Sequence, residues 1–126
     1  MTSSLDLAID STGQLDEVLG LAEHLRDALW RVDSSGARPV DAAGGLIVAG
    51  MGGSASGARL ALGALGDRLR RPMVISDGYG LPGWAGPSTL VLFSSYSGDT
   101  EETLAAYDRA VELDAPRLVA STGGAL

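Results

Sequence analysis

Two strings rich in glycine and hydroxyl side chains carry the chemistry legible in this chain. They are Gly50-Met51-Gly52-Gly53-Ser54-Ala55-Ser56-Gly57 and Ser95-Tyr96-Ser97-Gly98-Asp99-Thr100-Glu101-Glu102-Thr103. Each follows a short apolar run and opens a segment of helical spacing, so each reads as a strand-to-helix loop. Glycine lets the backbone turn sharply and come close to a ligand. The first N–H groups of a helix have no partner inside it and suit an anion. Ser54 adds a hydroxyl at the mouth of the first loop, and Ser95, Ser97 and Thr100 cluster three at the second. The chemistry these residues offer is phosphate binding. A purely structural reading competes with it: Ser54 as the N-cap of a helix, and Asp99 with Glu102 as a capping box. A capping box accounts for one such side chain and leaves the clustered hydroxyls unexplained.

Charge sharpens the argument. The nine basic residues are all arginine and face 16 acidic ones, for a net charge of −7. The field of the chain repels an anion, so a phosphate has to be held locally by N–H groups, hydroxyls and helix ends. A phosphate loop of the nucleotide-hydrolase type is excluded, because that loop requires a lysine. The acidic balance without a basic run argues against nucleic acid and anionic membrane surfaces as partners. With no cysteine, disulfides and thiolate metal sites are excluded, and no metal or cofactor is expected. Met1 to Asp10 has neither the basic start nor the apolar run of a signal peptide, and no stretch reaches the ~20 apolar residues of a membrane span. The expected setting is cytoplasmic.

The elements that position these loops follow from periodicity. Leu15, Val18, Leu19, Ala22, Leu25 and Leu29 recur at helical spacing, which predicts an amphipathic helix over Gln14–Arg31. A polar connection runs from Asp33 to Gly44. Beyond it, strands are predicted at Gly45–Gly50, Pro72–Asp77, Ser88–Ser95 and Pro116–Thr122, and helices at Ser54–Leu65 and Glu101–Asp114. The strands are near-continuous apolar runs, as in a parallel sheet covered on both faces. The predicted fold is therefore α/β, a doubly wound parallel sheet with an extra N-terminal helix. It divides into residues 1–44, helix and linker, and residues 45–126, the ligand-binding domain. If the first and third strands are neighbours, as in a flavodoxin-like order, both loops converge on one anion. The sequence ends after the fourth strand, from which a truncated domain is expected, with an apolar patch around Leu118, Val119 and Leu126 and a tendency to self-associate.

The strings GMGGSASG and SYSGDTEET, with YGLP between them, resemble the sugar isomerase (SIS) domain. Within it they are most similar to the N-terminal part of bifunctional phosphoglucose/phosphomannose isomerases. The resemblance runs from about Gly45 to the end of the chain. It implies a flavodoxin-like SIS fold and a sugar phosphate held by Gly52, Gly53, Ser54, Ser95, Ser97 and Thr100. It further implies isomerisation of glucose 6-phosphate or mannose 6-phosphate to fructose 6-phosphate, in a homodimer whose active site is shared between subunits. The chain departs from the resembled pattern at four positions. Asp77 stands where an arginine is frequent, Ala58 where glycine is usual, Arg59 where an acidic residue is common, and Asp99 in place of a frequent asparagine.

The acid–base groups are harder to place. Aldose–ketose isomerisation needs a base over two adjacent carbons, a group that opens the sugar ring, and donors for the developing oxyanion. The resemblance assigns these to a Glu, a His from the partner subunit and an Arg, all beyond the last residue here, so no catalytic residue is assigned and the chain by itself is expected to be inactive. His24, the single histidine, falls nearly opposite the apolar helix face, as a solvated residue does. Glu101 and Glu102 fall in a first helical turn, where favourable dipole interaction is reason enough for them. Trp30, Trp84 and Tyr79 read as core or interface aromatics. Two other functions fit part of the pattern. One is a non-catalytic sugar-phosphate-binding module. The other is a dinucleotide-binding oxidoreductase, since Gly50 to Ala55 also fits G-x-G-x-x-A and Asp77 ends the next strand. The hydroxyl-rich second loop has no role in the latter.

Overall fold

The computed structural model describes residues 10–126, so the leader-free reading of Met1 to Asp10 lies, Asp10 apart, outside the described residues. Two compact units are present, Met1–Pro39 and Val40–Leu126. The first holds α1, Gln14–Leu19, and α2, Leu21–Ser34. Sequence periodicity predicts one helix there. The structure interrupts it at Gly20, a poor helix former, although Gly20 still donates to Asp16 O at 2.8 Å. The Asp10 carboxylate receives the N–H groups of Gln14 and Leu15 at 2.7 and 2.8 Å, which satisfies two donors at the start of α1.

The second unit runs β1 (Gly45–Ala49), α3 (Gly53–Leu65), β2 (Met73–Ser76), β3 (Thr89–Ser94), α4 (Glu101–Glu112) and β4 (Arg117–Ala120). Its four strands are all parallel, in the order β2-β1-β3-β4. That is the flavodoxin-like order, with β1 and β3 adjacent and in register from Gly45 opposite Thr89 to Ala49 opposite Phe93. In the dinucleotide-binding order the first strand's other neighbour would be the fourth, not the third. The doubly wound sheet predicted from the apolar runs is therefore present.

Alternation along the strands shows how both faces are used. Ile47, Ala49, Val91 and Phe93 pack with Ala106 and Ala110 of α4 and are at most 1% exposed. Burying each of the larger ones contributes about 2 kcal/mol. Phe93 meets Tyr107 edge-on at 5.1 Å, and the Arg117 guanidinium lies 5.7 Å from the Tyr107 ring. The other face, with Leu46, Val48 and Leu92, adjoins α3, whose small residues Ala58 and Ala61 leave an apolar groove beside them. Of the expected apolar patch only Val119 is exposed. Leu118 is half-buried, and Leu126 packs against the Phe93 cluster. Tyr79 and Trp84 are exposed rather than core residues, because they sit on the loop between β2 and β3, outside the packed layers.

Candidate functional site

Both loops leave the carboxyl ends of adjacent strands. β1 ends at Ala49 and α3 starts at Gly53; β3 ends at Ser94 and α4 starts at Glu101. Their close approach requires a glycine. A Cβ on Gly50 would lie 2.6 Å from Ser94 O, so any larger residue would push the first loop off the end of β3. Gly50 also donates to Ser76 O at 3.1 Å, which ties the loop to β2.

The first loop ends with Gly52 as the residue capping α3. Ser54 is not the cap the structural reading expects. It lies one residue inside the helix, donates its N–H to Met51 O at 3.0 Å, and lines the cleft above the sheet. The second loop is organised by its own hydroxyls. Ser95 is 2% exposed, accepts the Gly98 N–H at 3.1 Å, and lies 3.0 Å from Thr100 Oγ1. Ser97 Oγ accepts the Asp99 N–H at 3.1 Å. A hydroxyl that accepts from the backbone keeps its own proton for another acceptor. The predicted capping box is absent. Thr100 caps α4 without a side-chain bond, and the Asp99 carboxylate instead accepts the Ala125 N–H at 3.0 Å. The helix starts one residue later than the box requires, with Thr100 as its cap, and Asp99 is engaged by a donor outside the helix.

A cleft of about 630 Å³ opens above the strand ends. Gly53, Ser54 and Ser95 of the predicted set line it, together with Met51 and Tyr96. Gly52, Ser97 and Thr100 do not line it: Gly52 caps α3, Thr100 caps α4, and Ser97 props the loop backbone from the exposed side. Ser121 and Thr122, which follow β4, also line the cleft and were missed. Their signal was present in the sequence: two hydroxyls and then two glycines after a fourth strand, the same composition as the other loops. No arginine or carboxylate lines the cleft.

Apart from Tyr96, no titratable side chain of the second unit lines it. Glu101 and Glu102 occupy the first turn of α4, as expected, and act on Tyr79 across the neighbouring loop. The Glu101 charge, followed by that of Glu102, raises the Tyr79 phenol above the ordinary tyrosine value. His24 lies on α2, in the other unit, 3.7 Å from Glu17. Asp77, the acid of the dinucleotide reading, receives Arg59 Nη2 at 2.9 Å. Positions 59 and 77, two of the four departures from the resembled pattern, are thus partners in one ion pair. Among the described residues no group of three or more His, Cys, Asp or Glu could hold a metal ion, and no helix is long and apolar enough to cross a membrane.

Over 81 residues, 64% of this chain, the sequence is 41% identical to the bifunctional phosphoglucose/phosphomannose isomerase of Caldicellulosiruptor bescii. The proteins of the same name from Thermoplasma volcanium and Thermoplasma acidophilum are each 33% identical over 81 residues. The match spans 24 to 26% of these relatives, so the chain corresponds to about a quarter of their length. No family model matches the chain. No solved structure matches it either.

Proposed function

We propose that the sheet unit binds a sugar phosphate in the cleft beyond β1, β3 and β4, as the phosphate-gripping part of an aldose–ketose isomerase. The reaction would interconvert glucose 6-phosphate or mannose 6-phosphate with fructose 6-phosphate. The observation that carries this reading is the convergence of two loops on adjacent parallel strands. Both are built of glycine and hydroxyl residues and both open a helix, beside a cleft lined by no cation. The relatives' names supply the substrate class.

In this reading Gly52, Gly53 and Ser54 present one helix start to the phosphate, and Ser95, Ser97 and Thr100 present the other. The cleft lining holds no carboxylate and no imidazole, so proton transfer and ring opening fall to groups that do not line it, those of a second copy in a homodimer included. The SIS assignment, the cytoplasmic setting and the lack of need for a cofactor belong to the same reading. The lack of a carboxylate or an imidazole in the lining also favours a second reading, a sugar-phosphate-binding module without catalysis.

Calorimetric titration with fructose 6-phosphate tests the shared core of both. Saturable binding is expected, weakened roughly ten- to a hundredfold by Ser54→Ala through loss of one hydrogen bond to a charged ligand. A chain that takes up no fructose 6-phosphate, or one indifferent to Ser54→Ala, would refute the assignment.

A further inference from the structure

The segment after β4 is bound to the second loop more densely than a passing turn requires. Thr122 donates both its N–H, at 3.2 Å, and its hydroxyl, at 2.6 Å, to Tyr96 O. Leu126 N–H donates to Gly98 O at 3.2 Å, and Ala125 N–H to Asp99 Oδ1 at 3.0 Å. Ser121 Oγ closes the segment on itself by donating to Gly123 O at 2.6 Å. The two backbones touch where Gly98 and Gly124 meet, at φ of 76° and 86°. A Cβ on Gly98 would collide with Gly123 O, and one on Gly124 with Ser97 O. Leu126 anchors the far end of the segment in the core beside Phe93.

These bonds decide which way the second loop faces. A loop that holds an anion must turn its carbonyl oxygens and its carboxylate away from the ligand, because each is repulsive to it. The Tyr96 and Gly98 carbonyls both accept N–H groups from the segment after β4, which offsets the repulsion each would offer an anion. So does the Asp99 carboxylate, the one charge between Ser95 and Thr100.

We propose that the segment Ser121–Leu126 is a brace that holds the second loop in its anion-binding shape, with Asp99 as the positioning residue that fastens it. The proposal rests on the sugar-phosphate reading of the cleft. Asp99 contacts no ligand in it; the carboxylate acts through the loop, and only as a hydrogen-bond acceptor. An asparagine at this position keeps an acceptor oxygen without the charge, so it preserves the brace and removes a repulsive charge near the phosphate.

Fructose 6-phosphate titrations of the wild-type chain, Asp99→Ala and Asp99→Asn, with amide hydrogen exchange of each unliganded protein, provide the test. Asp99→Ala is expected to bind roughly fivefold to tenfold more weakly, as for one lost hydrogen bond at an exposed site. Its Ala125 and Gly98 amides should exchange faster while those of β1 and β3 stay protected. Asp99→Asn should bind at least as tightly as wild type, with wild-type exchange. Asp99→Ala binding like wild type overturns the proposal, as does Asp99→Asn binding as weakly as Asp99→Ala. If wild type and both variants all ignore fructose 6-phosphate, the sugar-phosphate reading fails instead, and the positioning role falls with it. Unchanged exchange at Ala125 in Asp99→Ala refutes the brace whatever the ligand does.

Discussion

Ser95→Ala separates a hydroxyl that builds the site from one that merely borders it. Ser95 is 2% exposed, and its oxygen is the acceptor for the N–H of Gly98, itself buried. Removing that oxygen leaves a buried donor unsatisfied, which costs about 1–3 kcal/mol. The second partner, Thr100 Oγ1, is half-buried and can turn to water, so its loss adds little. A net loss of about 2 kcal/mol lowers the melting temperature of a chain this size by about 8 °C. Ser54 is half-buried on a helix, with a side chain at the cleft rather than in the packing. Its replacement by alanine is expected to leave the melting temperature within about 2 °C, since such sites tolerate truncation. Thermal unfolding followed by far-ultraviolet circular dichroism, with fructose 6-phosphate titration of both variants, reads the difference. Ser95→Ala should lose stability and binding together, and Ser54→Ala binding alone. A Ser95→Ala variant that melts with wild type would refute the reasoning, because the Gly98 N–H would then not depend on Ser95.

Two further outcomes follow from the same geometry. The 126-residue chain should not convert fructose 6-phosphate in a coupled assay, since no carboxylate or imidazole lines the cleft; turnover abolished by Glu101→Gln or Glu102→Gln would place the chemistry on α4 after all. The Tyr79 phenol should titrate above an ordinary tyrosine, because Glu101 and then Glu102 oppose its ionisation, and Glu101→Gln should bring it down. A raised folded value means that folding favours the neutral phenol, so this contribution to stability is intact below the ordinary tyrosine range and fades as pH rises through the folded value. Ultraviolet difference titration of wild type and Glu101→Gln checks the shift, and identical curves would contradict it.

The sheet was legible because its signal is local. GLIVAG, PMVISD and STLVLFSS each hold a run of three or more consecutive apolar residues, the pattern of a strand in a parallel sheet. The structure trims each by a residue or two, where the backbone turns into a loop. Gly50 and Gly98 stood out for a related reason, being glycines in the loops that follow strands. The capping box at Asp99 was misread because the competing donor, Ala125 N–H, lies 26 residues away and has no local signature. Ser121 and Thr122 escaped for a related reason: their place beside the cleft depends on β4 adding next to β3, which periodicity does not specify. The break at Gly20 was visible as a residue but was outweighed by the apolar spacing on either side of it.

An acidic chain can hold an anion here because the attraction does not come from net charge. Long-range repulsion from a charge of −7 is screened within about 8–10 Å at ordinary salt. Inside that distance the phosphate would meet the starts of α3 and α4 and the hydroxyls between them, each a short-range donor. The arginine nearest each loop in sequence is engaged elsewhere: Arg59 with Asp77 and Arg109 with Glu112. The pair of Arg59 and Asp77 makes the point most directly. Two substitutions that each look like a loss against the resembled pattern become one surface ion pair 2.9 Å long, and neither residue lines the cleft. Such an exposed pair contributes at most about 1 kcal/mol. These two departures therefore alter the flank of the domain and leave the cleft lining unchanged, which neither substitution, taken singly, discloses.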